Sequence, residues 1–578
     1  MGGFFYADKR AISDFENTRI KTRKQFEYSG FDKPIELDTD SYVIDYYPKI
    51  DCLASNYVTF GDGNFIFAVG TFIYREHIGA DALRLFYNQT DYLGELRGSR
   101  GHFLIVLRKA GQTLLFKDPI GSYELFLTRD GSSITTSFLA ATAASGHCTI
   151  NAQETYEYVF NGVSLGDATI FAEIRRLGLF ERMILEPTPS ILSQEVVLVP
   201  EEDRKSSDAI LEQNLSGLLE YATTLTRLFG DNIKVALSGG YDSRFLLALF
   251  RRSGVTPKLF VYGRSGDEDV LTAKRIADAE GIPLQHVDKD LLKQATPESF
   301  AEILERNFFR EDALPNGGIF TNGAELVARS WRSENGALHV NGGGGEVFRN
   351  FFNLPKRKRL TPRQFVWVFY SQFDPAQCTE AFSADVHDEK VAAKVAAVFG
   401  RSVDVLSRRQ IESLYSYFRC RSWFGRENSV NSRWGYSILP FFDHQTVSQA
   451  LRIPVRYKDF GNFESCLIRR ADPALAQYDS NYGFNFTRDA PPSAVLAAWL
   501  THLRPPWLRR RTFRLKSRLE KRPGRPNLLS EPYLEQVIDT AFPYMSRYFH
   551  LDRVTSELQF ARICTLEYLF QYVSAQSV

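Results

Sequence analysis

The chain has no large excess of charge, no long apolar run and no clustered cysteines. Its 70 Lys and Arg residues nearly balance 69 Asp and Glu residues, so the bulk charge gives no reason to expect a nucleic-acid or membrane partner. Its apolar runs are too short to span a bilayer. The cysteines lack the Cys-x-x-Cys spacing of a metal site, which predicts buried thiols in a reducing compartment; they are Cys52, Cys148, Cys378, Cys420, Cys466 and Cys564.

The beginning of the chain also lacks the features of a signal peptide. The apolar run within residues 1–6 is short and is followed by charged residues. Together with the missing membrane span, this predicts a soluble, cytoplasmic protein. With 578 residues the chain is too long for a single hydrophobic core, so we expect two or three domains.

The first 200 residues contain many short alternating apolar segments separated by Gly and Asp turns. Examples are residues 57–60, 64–69, 103–108 and 113–116, which are rich in β-branched and aromatic residues. Strand periodicity with close turns predicts a layered, mostly β domain. A charged and polar stretch at residues 201–207 marks the boundary, so we assign one domain to residues 1–200 and a second to residues 201–578.

The most informative stretch spans residues 234–244. Its apolar first half suits a buried parallel strand, and residues 245–250 give the following segment the apolar face of a helix. Ser238, Gly239 and Gly240 occupy the turn between them, where small residues let backbone N–H groups approach an oxyanion at the positive end of the helix. Asp242 stands at the mouth of the turn, where a carboxylate can hold Mg²⁺ against phosphates. Ser243 either caps the helix or binds an oxyanion.

A bare Gly-Gly turn is usually only a helix cap, but the longer run here is more specific. Ser238-Gly-Gly-Tyr-Asp-Ser243 resembles the Ser-Gly-Gly-x-Asp-Ser signature of the N-type ATP pyrophosphatases. Within that group it resembles the asparagine synthetase family, which includes β-lactam synthetases and lasso-peptide cyclases. The resemblance implies a pyrophosphate-binding loop, with ATP and Mg²⁺ as cofactors.

Alternating strand and helix patterns follow this loop. Residues 258–262 and 285–287 have strand character and residues 270–280 have helical spacing, which predicts a parallel sheet with ligands at the carboxyl ends of its strands. Residues 261–269 resemble the family's second nucleotide-contacting segment, which implies that backbone groups near Leu237 and Tyr262 contact the adenine. The acids Asp267, Glu268 and Asp269 either help to bind metal or are simply favoured at a helix N-terminus.

Residues 342–345 are four consecutive glycines, whose backbone can approach a ligand closely. By position they resemble the family's Ser-Gly-x-Gly-x-Asp-Glu loop, which contacts ribose and pyrophosphate and supplies a second Mg²⁺ ligand. The resemblance implies that Gly342 contacts the nucleotide and that Glu346 joins Asp242 as a catalytic metal ligand. The alternative is that Glu346 is a carboxylate favoured at the start of a helix.

The rest of the second domain matches the family only in part. The Leu-Pro-Phe-Phe-Asp-His run at residues 439–444 is similar to the family's Val-Pro-Phe-Leu-Asp-His. The family's Lys before a Gly-Phe pair aligns with Asn481, so another cation would have to serve; Lys458, Arg469 and Arg470 are nearby in the sequence. The basic runs at residues 356–359 and 504–525 either contact an acidic partner or are solvated faces.

The first domain resembles a class II glutamine amidotransferase domain. The segments that carry the resemblance are residues 96–106, 115–126 and 136–139, which look like strands of that domain. That family uses an N-terminal Cys whose own amine serves as base, but position 2 is Gly2 here. Residues 69–74 also lack the Asn of the corresponding family segment. We therefore expect no glutamine hydrolysis and a structural or binding role for this domain.

The expected fold combines α/β and α+β domains. An N-terminal layered β-rich glutaminase-like domain precedes a C-terminal doubly wound parallel-sheet ATP pyrophosphatase domain with added helices. The resemblance implies an ATP-dependent ligase that converts a small-molecule or peptide carboxylate into an acyl-adenylate, which an amine then attacks. Such a ligase includes a cyclase, to which a partner protein would deliver a peptide substrate. The alternatives are a catalytically degenerate nucleotide-binding scaffold and an ammonia-dependent asparagine synthetase.

Overall fold

The computed structural model describes residues 2–51, 55–288, 295–355, 358–400, 403–519, 525 and 527–576. Cys52, residues 356–357 of the first basic run and residues 520–524 of the second lie outside these ranges. In the described part of the chain no helix combines the length and the apolar character needed to cross a membrane. The described cysteines are all free, and Cys378, Cys420 and Cys564 are buried as the sequence predicts.

Two antiparallel sheets of six strands each form the first part of the protein. The first has the strand order β10-β8-β9-β1-β3-β2 and the second β12-β11-β7-β6-β5-β4. The strands are β1 (Gly3–Asp8), β2 (Ile35–Asp38), β3 (Tyr42–Tyr47), β4 (Tyr57–Thr59), β5 (Phe65–Ile73), β6 (Arg100–Lys109), β7 (Gln112–Lys117), β8 (Phe126–Thr128), β9 (Ser133–Thr135), β10 (Ile174–Arg176), β11 (Glu181–Glu186) and β12 (Ser190–Ser193).

Helices cover the outer faces of both sheets. In β1 the side chains alternate: Phe4 and Tyr6 pack between the two sheets, whereas Phe5 and Ala7 pack against the helices outside. Because both faces of the strand are covered, all of its residues are buried. The result is the layered, β-rich arrangement that the sequence predicts. The helices of this part are α1 (Phe15–Tyr28), α2 (Gly79–Tyr87), α3 (Tyr92–Gly98), α4 (Phe138–Ser145) and α5 (Ala152–Asn161).

Two segments predicted as strands are partly helical. Residues 96–98 belong to α3, whose N-cap Asp91 accepts a hydrogen bond from the backbone N–H of Gly94. Residues 138 and 139 begin α4, and Ser137 caps that helix by accepting from the N–H of Ala140. The strand prediction is wrong at these residues. In each segment a capping side chain accepts from a free N–H group in the first turn, which stabilises a helix start there.

A parallel sheet of five strands organises the second part of the protein. Its strands are β13 (Ile233–Ala236), β14 (Lys258–Gly263), β15 (Leu284–Asp288), β16 (Leu338–Val340) and β17 (Tyr436–Ile438), in the order β15-β14-β13-β16-β17. All neighbouring pairs are parallel. The chain therefore winds outward in both directions from β13, which is the doubly wound arrangement predicted from the alternating pattern, and the order switches between β13 and β16.

Helices flank this sheet and extend the core. They are α6 (Ser207–Phe229), α7 (Tyr241–Arg252), α8 (Glu268–Glu280), α9 (Pro297–Arg310), α10 (Ala324–Ser333), α11 (Pro362–Phe369), α12 (Ala384–Ala397), α13 (Arg408–Leu414), α14 (Arg421–Trp434), α15 (His444–Ala450), α16 (Val455–Lys458), α17 (Asn462–Ala471), α18 (Pro492–Leu503), α19 (Pro506–Leu519), α20 (Glu531–Leu534) and α21 (Glu557–Gln576). A π-helical turn at residues 415–420 joins α13 to α14.

Part of the second basic run packs against the rest of the protein. Helix α19 lies against α11, and the guanidinium of the buried Arg509 donates to the carbonyls of Phe352 and Asn353 at 3.0 and 2.6 Å. Arg510 forms an ion pair of 2.7 Å with the buried Asp388. These two arginines are therefore committed to the fold, whereas the sequence predicted for this run either contact with an acidic partner or a solvated face.

Buried charges join the two predicted domains. Asp312 is 0% exposed, accepts from the Ser137 hydroxyl at 2.6 Å and pairs with Arg433 at 2.7 Å. Asp443, in the run at residues 439–444, pairs with Arg100 of β6 at 2.6 Å. One hydrophobic core also combines residues up to position 174 with residues from position 300 onward. The domain boundary near residue 200 stays a prediction.

Candidate functional site

Two loops meet at the switch point of the parallel sheet. The turn at residues 238–240 follows β13, and the four glycines at residues 342–345 follow β16, so both lie at the carboxyl edge of neighbouring strands. A Cβ atom on Gly345 would lie 2.2 Å from Oδ1 of Asp242, and one on Gly342 would lie 3.0 Å from its Cβ. Glycine is therefore required for this approach, which brings together Asp242 and the glycine loop as the sequence predicts.

Hydrogen bonds hold the first turn in shape. The backbone N–H of Ser238 donates to Oγ of Ser243 at 2.9 Å, and the two hydroxyls are also 2.9 Å apart. The N–H of Gly239 donates to the carboxylate of Asp269 at 3.0 Å. Ser243 therefore stabilises the turn. Asp269, one of the acids at residues 267–269, accepts a hydrogen bond from an N–H group that the sequence assigns to phosphate binding.

Gly240 is the roomiest position in this turn. A Cβ atom there would have the Oγ of Ser238 as its nearest neighbour, at 3.8 Å, and the backbone φ of −87° is open to any residue. Gly240 precedes α7, whose first N–H groups and dipole give this edge of the sheet a positive potential. The space beside Gly240 is therefore where an anion meets the fewest protein atoms.

The two residues predicted to contact adenine lie at the ends of adjacent strands. Leu237 is 1% exposed, and its N–H donates to the carbonyl of Phe260 at 2.8 Å. The backbone of Tyr262 is paired with Val287 in β15, and burial together with the charge of Glu325 raises the pKa of its hydroxyl. The adenine contact stays a prediction. The N–H of Leu237 already donates to a carbonyl of the neighbouring strand.

Arg349 lies between the carboxylates that the sequence assigns to the metal. Its Nη2 atom is 3.0 Å from Oδ1 of Asp242 and 3.6 Å from Oε1 of Glu346. Its Nε atom is 2.9 Å from Oε2 of Glu464, a fully buried carboxylate on α17. Glu346 also accepts a hydrogen bond from the hydroxyl of Tyr415. The structure thus brings Asp242 and Glu346 together, around a guanidinium.

Burial dominates the electrostatics of this cluster. It raises the pKa of Asp242, against the attraction of Arg349 and with the repulsion of Glu346. Burial likewise raises the pKa of Glu464 well above its usual range. Burial alone would lower the pKa of Arg349, but the charges of Asp242 and Glu464 outweigh it and raise that pKa well above its ordinary value. The guanidinium is therefore the fixed charge of the cluster.

These carboxylates do not fit Mg²⁺ while Arg349 holds this position. Mg²⁺ requires oxygen ligands at about 2.0–2.1 Å in octahedral geometry, and a cation 3.0 Å from the same oxygen of Asp242 excludes it. In the described residues, no group of three or more metal-ligating side chains has the geometry of a metal site. The Mg²⁺ ligands Asp242 and Glu346 stay a prediction that requires movement of Arg349.

The cations proposed from the sequence lie elsewhere. Lys458 is buried 3.7 Å from Oε2 of Glu412, and burial lowers its pKa to about 8. Arg469 donates to the carbonyl of Thr487 at 2.6 Å, and Arg470 pairs with Asp208 on the surface. None of these three contacts Asp242 or Glu346 in the described structure.

Sequence reasoning gave Arg349 no role, although it lies three residues after Glu346, a spacing that places two side chains on one face of a helical turn. Glu464 is far away in sequence and carried no local signal.

The position aligned with the family's catalytic Lys does reach the turn. The backbone N–H of Asn481 donates to the carbonyl of Gly239 at 3.3 Å, and its side-chain amide donates to Asp269 at 3.2 Å. Asn481 therefore lies beside the turn that the sequence assigns to phosphate binding. The Asn481 side chain carries no charge there, and within the described part of the chain Arg349 is the cation that contacts the predicted catalytic carboxylates.

The position of the missing nucleophile is closed by packing. Gly2 is buried, its N–H donates to the carbonyl of Tyr47 at 3.2 Å, and a Cβ atom on it would lie 2.0 Å from a ring carbon of Phe31. No side chain fits without displacing that ring. A cysteine at this position would therefore require neighbouring atoms to move, and the absence of glutamine hydrolysis stays a prediction.

Comparisons with known proteins show only distant similarity. No family model and no curated protein sequence matches the chain. Among solved structures it is similar to glutamine phosphoribosylpyrophosphate amidotransferase from B. subtilis complexed with ADP and GMP, with 7% identity and a TM-score of 0.23, over 51% of this chain and 69% of that one. It is also similar to a structure described as the allosteric regulatory enzyme of purine biosynthesis, with 8% identity and a TM-score of 0.23, over 49% and 64% of the two chains. Similarity this low carries no argument about activity.

Proposed function

We propose that the chain is an ATP-dependent ligase that joins a carboxylate to an amine. In the proposed reaction a carboxylate oxygen attacks the α-phosphate of ATP, pyrophosphate leaves, and an amine then displaces AMP from the acyl-adenylate to form an amide. The observation that carries the proposal is the meeting of the Ser238–Ser243 segment with the glycine loop at the switch point of a doubly wound sheet. Such switch points are where open α/β sheets bind their ligands.

The residues of this chain would act by fixed electrostatics. The N–H groups at the start of α7 and the glycine loop would donate to phosphate oxygens, in an orientation set before the ligand arrives. Arg349 would supply the positive charge beside the phosphates, because it is the cation that contacts Asp242 and Glu346 in the described structure. Asp242 and Glu346 would hold Arg349 in place.

The nitrogen of the amide would not come from glutamine. The packing of Phe31 against Gly2 supports this, because a nucleophilic cysteine has no space there. Ammonia or an amine on the substrate itself is left as the donor, and the second of these would make the enzyme a cyclase. The acyl substrate would be a small-molecule or peptide carboxylate, and a peptide would need a partner protein for delivery.

A nucleotide-binding scaffold without catalysis is the second candidate. Two contacts favour it: the carboxylate of Asp269 accepts from the N–H of Gly239, and the guanidinium of Arg349 occupies the space between the predicted metal ligands. Both contacts satisfy the site in the absence of any ligand. In such a site, phosphate oxygens of a nucleotide would replace the present partners of the Gly239 N–H group and the Arg349 guanidinium. The site would lack the metal that assists pyrophosphate release.

Formation of AMP and pyrophosphate separates the two candidates. Purified protein would be incubated with ATP, Mg²⁺ and a panel of carboxylates and amines that includes aspartate with ammonia. Asp242→Asn would serve as the site variant and Asp231→Asn, at an exposed position before β13, as its control. Substrate-dependent AMP that Asp242→Asn abolishes and Asp231→Asn leaves unchanged supports the ligase. ATP binding without AMP across the panel supports the scaffold, and asparagine among the products identifies the ammonia-dependent reaction.

A further inference from the structure

A large, open cavity lies between the antiparallel sheets and the helices of the parallel sheet. Its volume is about 1030 Å³, at the upper end of what small-molecule sites enclose. One wall is formed by α3 and the end of β7, the opposite wall by α6 and α15, and the segment at residues 194–197 crosses it. None of residues 237–243 or 342–349 lines it, so it is separate from the candidate nucleotide site.

The lining of this cavity is half apolar and half polar. Its apolar part comes from Leu93, Leu96, Pro119, Val196, Val197 and Tyr417. Its cations include Lys117, at the end of β7, and the exposed Arg97 and Arg452. The lining also contains Arg100, which pairs with Asp443, and two carboxylates, Glu195 and Glu220. Because four cations outnumber two carboxylates in this lining, a ligand with an apolar body and a negative charge matches it.

Lys117 is the most informative of these side chains. It is only 2% exposed although it lines the cavity. In the described structure its ammonium donates a long hydrogen bond of 3.5 Å to the carbonyl of Leu177. No carboxylate pairs with it within the described residues. Asp167, Glu181 and Asp118 attract this ammonium from a distance, but they do not offset the cost of its burial, which an anionic ligand in the adjoining cavity would reduce further.

From this geometry we infer that the cavity binds a small amphipathic anion, a molecule with an aromatic or aliphatic body and one carboxylate, sulfonate or phosphate group, with the anionic group on Lys117. The ligand would touch both predicted domains, because Leu93 and Lys117 lie before residue 200 and Ser216 and Gln449 after it. Binding would therefore stabilise the contact between them. The site does not depend on the proposed ligase activity.

The first test uses an aromatic sulfonate, 1-anilinonaphthalene-8-sulfonate, on the full chain. Calorimetry should find one saturable site per chain. Lys117→Met removes the cation and keeps the length of the side chain, and Ser216→Trp fills the cavity from the exposed face of α6. Each should weaken binding at least tenfold. The controls are Lys258→Met on β14 and Thr223→Trp, two turns further along α6, which do not line the cavity.

A neutral analogue separates the charge from the fold. N-phenyl-1-naphthylamine has the same aromatic body without the sulfonate, so Lys117→Met should bind it as the unaltered protein does. A variant that has lost its fold would lose both ligands, and thermal melting identifies such a variant. The inference is overturned if the unaltered protein has no saturable sulfonate site, or if Lys117→Met and Ser216→Trp bind the sulfonate within twofold of it.

The pH dependence gives an independent readout. Burial, with the charge of Arg421 adding to it, lowers the pKa of Lys117 to about 7, while Asp167, Glu181 and Asp118 oppose the shift. A bound anion would raise that pKa, so sulfonate affinity should fall by up to tenfold per pH unit above about pH 7. Lys117→Met should lose this dependence, and a dependence that persists in the variant contradicts the assignment of Lys117.

Discussion

Replacement of Arg349 by Met should destabilise the protein strongly at neutral pH. The guanidinium is 15% exposed and pairs with Asp242 and with Glu464, which is fully buried. Without the guanidinium, Asp242 and Glu464 must either stay ionised without a cation or take up protons, because burial already raises the pKa of both carboxyls. Loss of one partner of a buried ion pair costs up to about 3–5 kcal/mol. The matched control is Arg306→Met, because Arg306 pairs with Glu302 on an exposed helix face and such pairs contribute about 0.5 kcal/mol or less.

Calorimetric melting measures both effects, with and without Mg²⁺. Arg349→Met should melt at a clearly lower temperature than Arg306→Met. Millimolar Mg²⁺ should recover part of that loss in Arg349→Met and leave the unaltered protein unchanged, because the carboxylates are free to take a metal only when the guanidinium is gone. The reasoning is refuted if Arg349→Met melts like the control, or if Mg²⁺ stabilises the unaltered protein and not the variant.

Three further variants test other charges. Lys117→Met should stabilise the protein at pH 7, because the pKa of Lys117 is about 7 in the folded protein and near 10.5 in the unfolded chain. The gain in unfolding free energy should shrink by about 1.4 kcal/mol per pH unit towards pH 10. Denaturation at several pH values checks this. Asp312→Asn leaves Arg433 buried without its partner, so at neutral pH it should cost about 3–5 kcal/mol. The Arg433 charge helps to hold the pKa of Asp312 at about 2 in the folded protein. The stability difference between the unaltered protein and Asp312→Asn should therefore disappear as pH falls from about 4 to 2. Acid unfolding of the two proteins measures this. Asp269→Asn removes a negative charge from the N–H of Gly239, so it should tighten pyrophosphate binding about three- to tenfold by calorimetry.

Local sequence signals predicted the elements that carry the site. The apolar run before Ser238 and the glycine turn after it are enough to place β13, the turn and α7 correctly, because strand, turn and helix each have a local pattern. The same holds for β14, α8 and β15. Two segments failed where a capping residue, such as Ser137, began a helix inside a run with strand character.

Contacts between distant residues were beyond the sequence. The pairing of Arg349 with Glu464 joins residues 115 positions apart, and nothing near either residue marks it. The hydrogen bond from Gly239 to Asp269 depends on how α8 packs beside the turn. The predicted metal site assumed two free carboxylates, and only the three-dimensional arrangement reveals the cation between them.

The most direct test of the central claim is calorimetric titration of ATP into the protein and two glycine variants. Gly240→Val has room for its Cβ atom in the fold, and its methyl groups fill the space where phosphate would approach. Gly61→Val, with no atom within 4 Å of its Cβ, is the control. The account predicts saturable binding that pyrophosphate displaces, that Gly240→Val abolishes and that Gly61→Val retains. No binding at millimolar ATP, or equal binding by Gly240→Val, would contradict a nucleotide site at this turn.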